Sequence, residues 1–379
     1  MKERSNFNII IRLILFVVLI AAGAAAFSIA FMQLTKQKVG IQIIDEYPSS
    51  DAKRYGLDFE FYYDLQGENN EIKEQKKALA ELYSNRLMYL YKLTDPENEY
   101  ENMSNIATIN NNAGTPVEVD ETLYNMLEKA HILTGAYKSY NMLSGAFYKY
   151  YTEFIYADDP LSDDPIVNAE SRALIASVLD AETKSGAELM FNEADHTVTL
   201  YISNGYKSNE YTEDMPVIDL NYLRNAFIVN DLKNTIEGKG YEKGFILTKD
   251  GVSAALSSFN SGDYVLKGKD DKEDTVAITG GLVAFTLNPY DAKNKAIGEY
   301  EITDADGNTY FRTPNILYTE LGVTNRVISS MTLDTNGDAV NCKLAGMTFN
   351  TDLAGGKDVK KSAEGIERAY GVNVYYNEN

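Results

Sequence analysis

The stretch Met215–Leu256 reads MPVIDLNYLRNAFIVNDLKNTIEGKGYEKGFILTKDGVSAAL, and it holds one copy of each piece the rest of the chain is made from. The apolar opening MPVID predicts a strand. A turn, a helix with a glycine stop and a second strand follow. Asp250-Gly251 falls between GFILT and VSAAL, where the pair predicts a tight hairpin, because such turns need residues that tolerate positive φ.

Upstream the same alternation of types continues. HTVTLYIS (His196–Ser203) alternates as a strand, and Asn168–Leu179 reads as a capped helix. MLSGAFYKYYTEFIY (Met142–Tyr156) is rich in aromatics. Asp120 is a candidate N-cap, and Leu123, Met126, Leu127 and Ala130 then recur at helical spacing up to a stop at Gly135. Ahead of that helix, SNIATINNNAGTPVEVD (Ser104–Asp120) reads as a turn, since Asn and Gly accept left-handed backbone. Lys73–Lys92 has helical spacing, GLDFEFYYDL (Gly56–Leu65) reads as a strand, and Val39–Ala52 reads as linker or first strand. Downstream, TVAITGGLVAFTL and VISSMTL predict strands, and the tail from Lys357 predicts a helix and a last strand. Helices and hairpins mix without a strict βαβ repeat. The expectation is one α+β domain over residues 56–379, behind a linker at 39–55 and a separate segment at 1–38.

Composition narrows the function classes. The 379 residues carry 35 basic and 56 acidic side chains, a net charge of −21, which argues against a nucleic-acid partner. Two histidines, His131 and His196, leave little for a multi-histidine metal site. His131 reads as a packing residue on its helix, and His196, beside Asp195, as a turn residue. Cys342 is the one cysteine, so the chain has no internal disulfide. There is no Trp, and 28 Tyr take the large-aromatic positions.

Leu13–Met32, LILFVVLIAAGAAAFSIAFM, is 20 residues without a charge. As a helix it spans about 30 Å, the thickness of a bilayer's hydrocarbon. Lys2, Arg4 and Arg12 precede it and favour a cytoplasmic N-terminus. An uncleaved single-pass anchor is expected, with a cleaved signal peptide at Ala24-Ala25-Ala26 as the alternative. Either places the body outside the cytoplasm. Without the five basic residues and one acid up to Lys38, that body keeps 30 basic and 55 acidic residues.

The order of these pieces resembles the FAD:protein FMN transferase (ApbE) family. Ser104, Ile106, Ile109 and Asn110, followed by AGTPVEVD, match the family's Ser-x-Ile-x-x-Leu/Ile-Asn phrase and its PVEVS. SYNMLSGAFYKYY (Ser139–Tyr151) matches a GAFDVTVGPLVxLW-like segment, keeping Gly145, with Tyr140-Asn141 in place of Phe-Asp. VIDLNYLRNAFIVNDL (Val217–Leu232) matches vDLGGIAKGYAvD. The resemblance spans about Gly56 to Asn350. It implies an ApbE-like α+β fold and a Mg²⁺-dependent transfer of FMN from FAD to a Ser or Thr of an exported flavoprotein, at a membrane-anchored extracytoplasmic site.

The chemical positions depart from the family more than the scaffold phrases do. Asn221 and Tyr222 replace both glycines of DLGG, and Asn225 stands at the Lys position. Asp219 is kept, as a ligand contact or as a helix cap. The resemblance implies Tyr140, Asn141, Asp219 and Asn225 at the flavin. The family's ADALAT-like metal phrase becomes GDAVNCKLAG, which implies Asp338 and Cys342 at the metal, one helical turn apart. A thiol is a poor Mg²⁺ ligand, and the alternative is a plain turn at Asp338 with a core cysteine. In NILYTELG (Asn315–Gly322), Asn315 stands at the family's His, Tyr318 at its Asp and Leu321 at its Thr. In AITGG (Ala277–Gly281), Gly281 replaces an Asp. Three functions remain open: a divergent flavin transferase, a non-catalytic flavin- or partner-binding surface protein, and a surface scaffold without a ligand.

Overall fold

A computed structural model describes residues 38–44, 59–137, 139–207, 210–267, 275–287, 298–313 and 327–378. The apolar run Leu13–Met32 and the stretch Asn315–Gly322 lie outside them. Among the described residues, no helix is long and apolar enough to cross a membrane.

A seven-stranded antiparallel sheet forms the centre. Its strands are β1 (Gly40–Ile44), β2 (Phe59–Leu65), β6 (Gly244–Thr248), β7 (Val252–Ala255), β10 (Val283–Leu287), β13 (Ile328–Thr335) and β14 (Asn373–Glu378), in that spatial order. Strand β1 occupies the start of the stretch read as linker or first strand, and it pairs Gly40–Ile44 with Leu65–Phe61. In β2 the sequence FEFYYDL sends Phe59, Phe61, Tyr63 and Leu65 inward and leaves Glu60 outside. Each fully buried side chain of this kind contributes about 1.5–3 kcal/mol.

Three smaller sheets surround this one. They are β3 (Val117–Glu118) with β5 (Thr197–Tyr201) and β4 (Glu188–Asn192), then β8 (Asn260–Lys267) with β9 (Thr275–Thr279), and β11 (Tyr300–Thr303) with β12 (Thr309–Arg312).

The helices used below are α1 (Asn69–Leu93), α2 (Ile106–Asn111), α3 (Glu121–Ala136), α4 (Gly145–Ile155), α5 (Ala169–Ser185), α6 (Arg224–Glu237), α7 (Ala339–Ala354) and α8 (Val359–Tyr370). Helices α6 and α7 pack on the sheet and on each other, and α1 packs on α6. Helix α7 is buried over most of its surface and leaves a narrow polar stripe, Asn341, Thr348 and Asp352, toward water. Gly346 lets it approach the sheet: a Cβ there would come within 2.3 Å of the Phe285 ring. The buried Lys343 of α7 ion-pairs with Asp250, which sits in the predicted β6–β7 hairpin turn.

Two sequence expectations change. SNIATINNNAG is not only a turn: Ile106–Asn111 form a helix. Asn105 is fully buried and caps it in a reciprocal box with Thr108. MPVID forms no strand. Its backbone finds partners in loops instead. The Gly145 amide donates to the Val217 carbonyl at 3.0 Å, and the Asp219 amide to the Met142 carbonyl at 2.9 Å. Both main-chain groups of Ile218 bond the side chain of Asn110, at 2.8 and 3.0 Å. With those groups satisfied, no neighbouring strand is needed.

Candidate functional site

Two loops meet ahead of α6: Ser139–Ser144 and Val217–Leu223. Gly145 makes the junction possible. A Cβ on it would lie 2.5 Å from the Pro216 carbonyl oxygen and 2.9 Å from that of Val217. Any side chain would therefore push main chain from main chain.

Of the residues that the resemblance implied at the flavin, Tyr140 and Asp219 lie near each other here, and Asn225 follows in the first turn of α6. Asn141 lies in the same loop, but its amide serves the loop itself, donating to Ser144 Oγ at 2.8 Å and accepting from the Leu143 amide at 3.0 Å. Asp219 accepts the Asn221 amide at 2.6 Å, which closes a turn. It keeps partial exposure, yet burial pushes its carboxyl up to about 6, against the opposing pull of that amide. Asn221 has φ +40°, one of three non-glycine residues with positive φ among those described. The backbone bend that a glycine would take freely is thus kept, by a residue that tolerates it.

Tyr222, at the second glycine position, fills the junction. Its ring meets Tyr140 edge-on at 5.7 Å and Tyr148 at 5.8 Å, and its hydroxyl donates to the Ser139 carbonyl. All three rings are buried. Burial holds the hydroxyls of Tyr140 and Tyr222 well above the ordinary tyrosine range, so they stay protonated. The Tyr140 hydroxyl is buried and finds no hydrogen-bond partner. Asn225 is buried in the first turn of α6. Next to it, Arg224 reaches away from the junction. It donates to Thr94 Oγ1 at 2.8 Å and to the Tyr91 carbonyl at 2.7 Å, so it closes the end of α1. The junction between the two loops is thus filled by the buried Tyr222 ring.

Asp338, the cap of α7, meets α6 at Asn230, about a turn and a half beyond Asn225, and Cys342 follows within α7. Asp338 caps α7: its Oδ1 accepts the amides of Val340 at 2.8 Å and Asn341 at 3.3 Å, and the Asn230 amide group at 2.8 Å. Its Oδ2 takes the Lys129 ammonium of α3. Burial alone would raise this carboxyl, but the Lys129 charge and the hydrogen bonds outweigh it and hold the group below its usual range. Cys342 is fully buried, with its thiol toward the Leu333 carbonyl at 3.4 Å, and burial pushes it far up, so it remains a thiol. Magnesium asks for oxygen ligands in an octahedron. A neutral buried thiol and a carboxylate already holding four donors do not fit it. No group of three or more His, Cys, Asp and Glu among the described residues could hold a metal.

Lys129 and Asn230 had not been singled out in the sequence. Lys129 lies 209 residues from its partner, and its only cue was the missing oxygen ligand at position 342. The histidines behave as read. His131 packs 5.5 Å from the Phe191 ring, and His196 takes φ +49° at the turn into β5.

No family model matches the chain, and no curated protein sequence matches it. Solved structures do. The ApbE protein of Thermotoga maritima superposes with a TM-score of 0.57 at 16% identity, covering 88% of this chain and 94% of that one. The apo flavinyl transferase ApbE of Pseudomonas stutzeri gives 0.54 at 11% identity, over 91% and 94%. The flavin transferase ApbE of Vibrio cholerae gives 0.50 at 12%, over 84% and 89%. The chain has the fold of these flavin transferases across nearly its whole described length.

Proposed function

We propose that this protein is a membrane-anchored, extracytoplasmic member of the flavin-transferase fold that works by binding a partner and does not transfer FMN. One observation carries the reading: Tyr222, buried against Tyr140 and Tyr148, fills the position where the family leaves two glycines open. The uncharged run Leu13–Met32 supports the anchor, and the basic residues ahead of it support an exported body. Several departures point the same way. Asn225 stands for the family's Lys, Asn315 for its His, and Cys342 for an oxygen ligand. Losing a general base alone costs about 10²–10⁴-fold in rate.

Calorimetric titration of the full chain in detergent with FAD, with and without Mg²⁺, tests the reading. No binding heat is expected in either condition, and no FMN should attach to an exported flavoprotein. Mg²⁺-dependent FAD binding that disappears in Asp338→Ala would overturn it. The second reading is a divergent transferase acting on exported flavoproteins, with Asp219 at the FAD. It is favoured by the positive φ kept at Asn221 beside Asp219, the bend that the family's glycine would make.

A further inference from the structure

We infer that Lys129 is the resident cation of the Asp338 site, and that this tethered ammonium closes the site to divalent metal. A carboxylate offers about four lone-pair positions. Asp338 receives four donors unevenly: the amides of Val340 and Asn341 and the Asn230 side chain saturate Oδ1, and the Lys129 ammonium alone meets Oδ2. Two of them are set by the start of α7, because Asp338 is its cap. The Asn230 bond is fixed from both ends, since the Asn230 Oδ1 accepts the Ala339 amide at 2.9 Å. Only Lys129 can be exchanged without unwinding a helix end. It meets Oδ2, the oxygen with no other donor, and that is where an incoming cation would have to bind.

Position 342 completes the closure. One helical turn on from Asp338, an oxygen would share a cation with the carboxylate. Cys342 instead points its thiol into the sheet, toward the Leu333 carbonyl. The Lys129 ammonium also lies 6.0 Å from the Phe227 ring of α6, which suits a singly charged, large cation better than a small hydrated one. Lys129 and Asp338 are each about one-third exposed in their side chains, 35% and 32%. Ions in solution can therefore reach the pair, and the exclusion is chemical rather than a matter of access. Any ligand that docks here meets one fixed positive charge and no metal.

Mn²⁺ is the probe, followed by its paramagnetic resonance signal with the full chain in detergent. The wild-type protein is expected to leave the free-ion signal unchanged. Lys129→Met combined with Cys342→Thr frees Oδ2 and supplies a hydroxyl. It should gain one Mn²⁺ site, at least about 10–100-fold tighter than wild type, the scale on which neighbouring groups tune metal affinity. Adding Asp338→Asn should erase that site, and Lys129→Arg alone should stay closed to the ion. A wild-type chain that binds one Mn²⁺, lost in Asp338→Asn, overturns the inference whether or not any other variant folds. So does a double variant with wild-type circular dichroism that takes up no Mn²⁺. The outcome is separable from the proposed function. FAD binding of equal strength with and without Mg²⁺ would refute that reading and leave the lysine assignment intact.

Discussion

Asn110 and Tyr222 both brace the segment Val217–Leu223, and they do it in opposite ways. Asn110 bonds the backbone of Ile218 on both its polar groups, so the side chain is an amide standing in for a strand. Any fold that keeps the loop needs this amide or a second strand in its place. Tyr222 fills space that main chain would leave open, and its ring shape matters more than its hydrogen bond. The first brace therefore works through hydrogen bonds to main chain, and the second through packing of a ring. Asn221, next to Tyr222, takes φ +40°, backbone that an asparagine tolerates better than most side chains. A hydrogen bond to a buried backbone group is directional, and it ties a position to one residue type. A pocket is a volume, and many side chains can close it.

Four measurements break or sharpen that contrast. The largest effect is expected from Tyr222→Ala, which empties a buried aromatic site among Tyr140 and Tyr148 and should destabilise by about 3–5 kcal/mol in chemical denaturation. A loss under about 1 kcal/mol would mean the cluster is loosely packed and the site region remains open.

Asn110→Ala comes next. It strands the buried amide and carbonyl of Ile218 at about 1–3 kcal/mol for each group. Melting temperature and denaturant midpoint should both fall. An unchanged midpoint would show that the segment holds without its amide brace.

The third is a pH dependence. Burial raises Asp219 to about 6, and it raises Glu182 of α5 to about 7 against the opposing hydrogen bond from the Phe147 amide, at 3.0 Å from Glu182 Oε1. Both folded values lie above the unfolded ones. Their contribution to stability is therefore fully present below about pH 4 and is lost as pH rises through 6 and 7. Melting temperature should fall from about pH 4.5 to 7.5, and Glu182→Gln should remove much of that slope. A profile rising over the same window would contradict the burial of both carboxyls.

The smallest effect is expected from Asn221→Gly. Glycine adopts the positive φ without strain, but it loosens the unfolded chain and loses the Asn221 side-chain bonds, so the net change should stay within about 1 kcal/mol. A larger loss would show that the asparagine amide holds the turn.

Much of this architecture could be read before any coordinates. The α+β mixture, the caps at Asp120 and Asn168, the hairpin at Asp250-Gly251 and the closing helix and strand all follow from local spacing and turn chemistry. Local sequence settles such features because the atoms that satisfy them lie within a few residues. The missing strand at MPVID escaped it, since Asn110 supplies the bonds from 108 residues away. The helix at Ile106–Asn111 escaped it too, because a run of asparagines favours turns until Asn105 is buried as a cap.

The site divides in the same way. Sequence alone determined which residues stand at these positions: Asn221, Tyr222, Asn225, Asp338 and Cys342. Only the tertiary structure decided what fills these places: three tyrosines, from two loops and α4, at one junction, and Lys129 brought to Asp338 across 209 residues. A substitution can be read in one dimension, but compensation requires knowing which distant side chain the fold delivers to the vacated volume or charge.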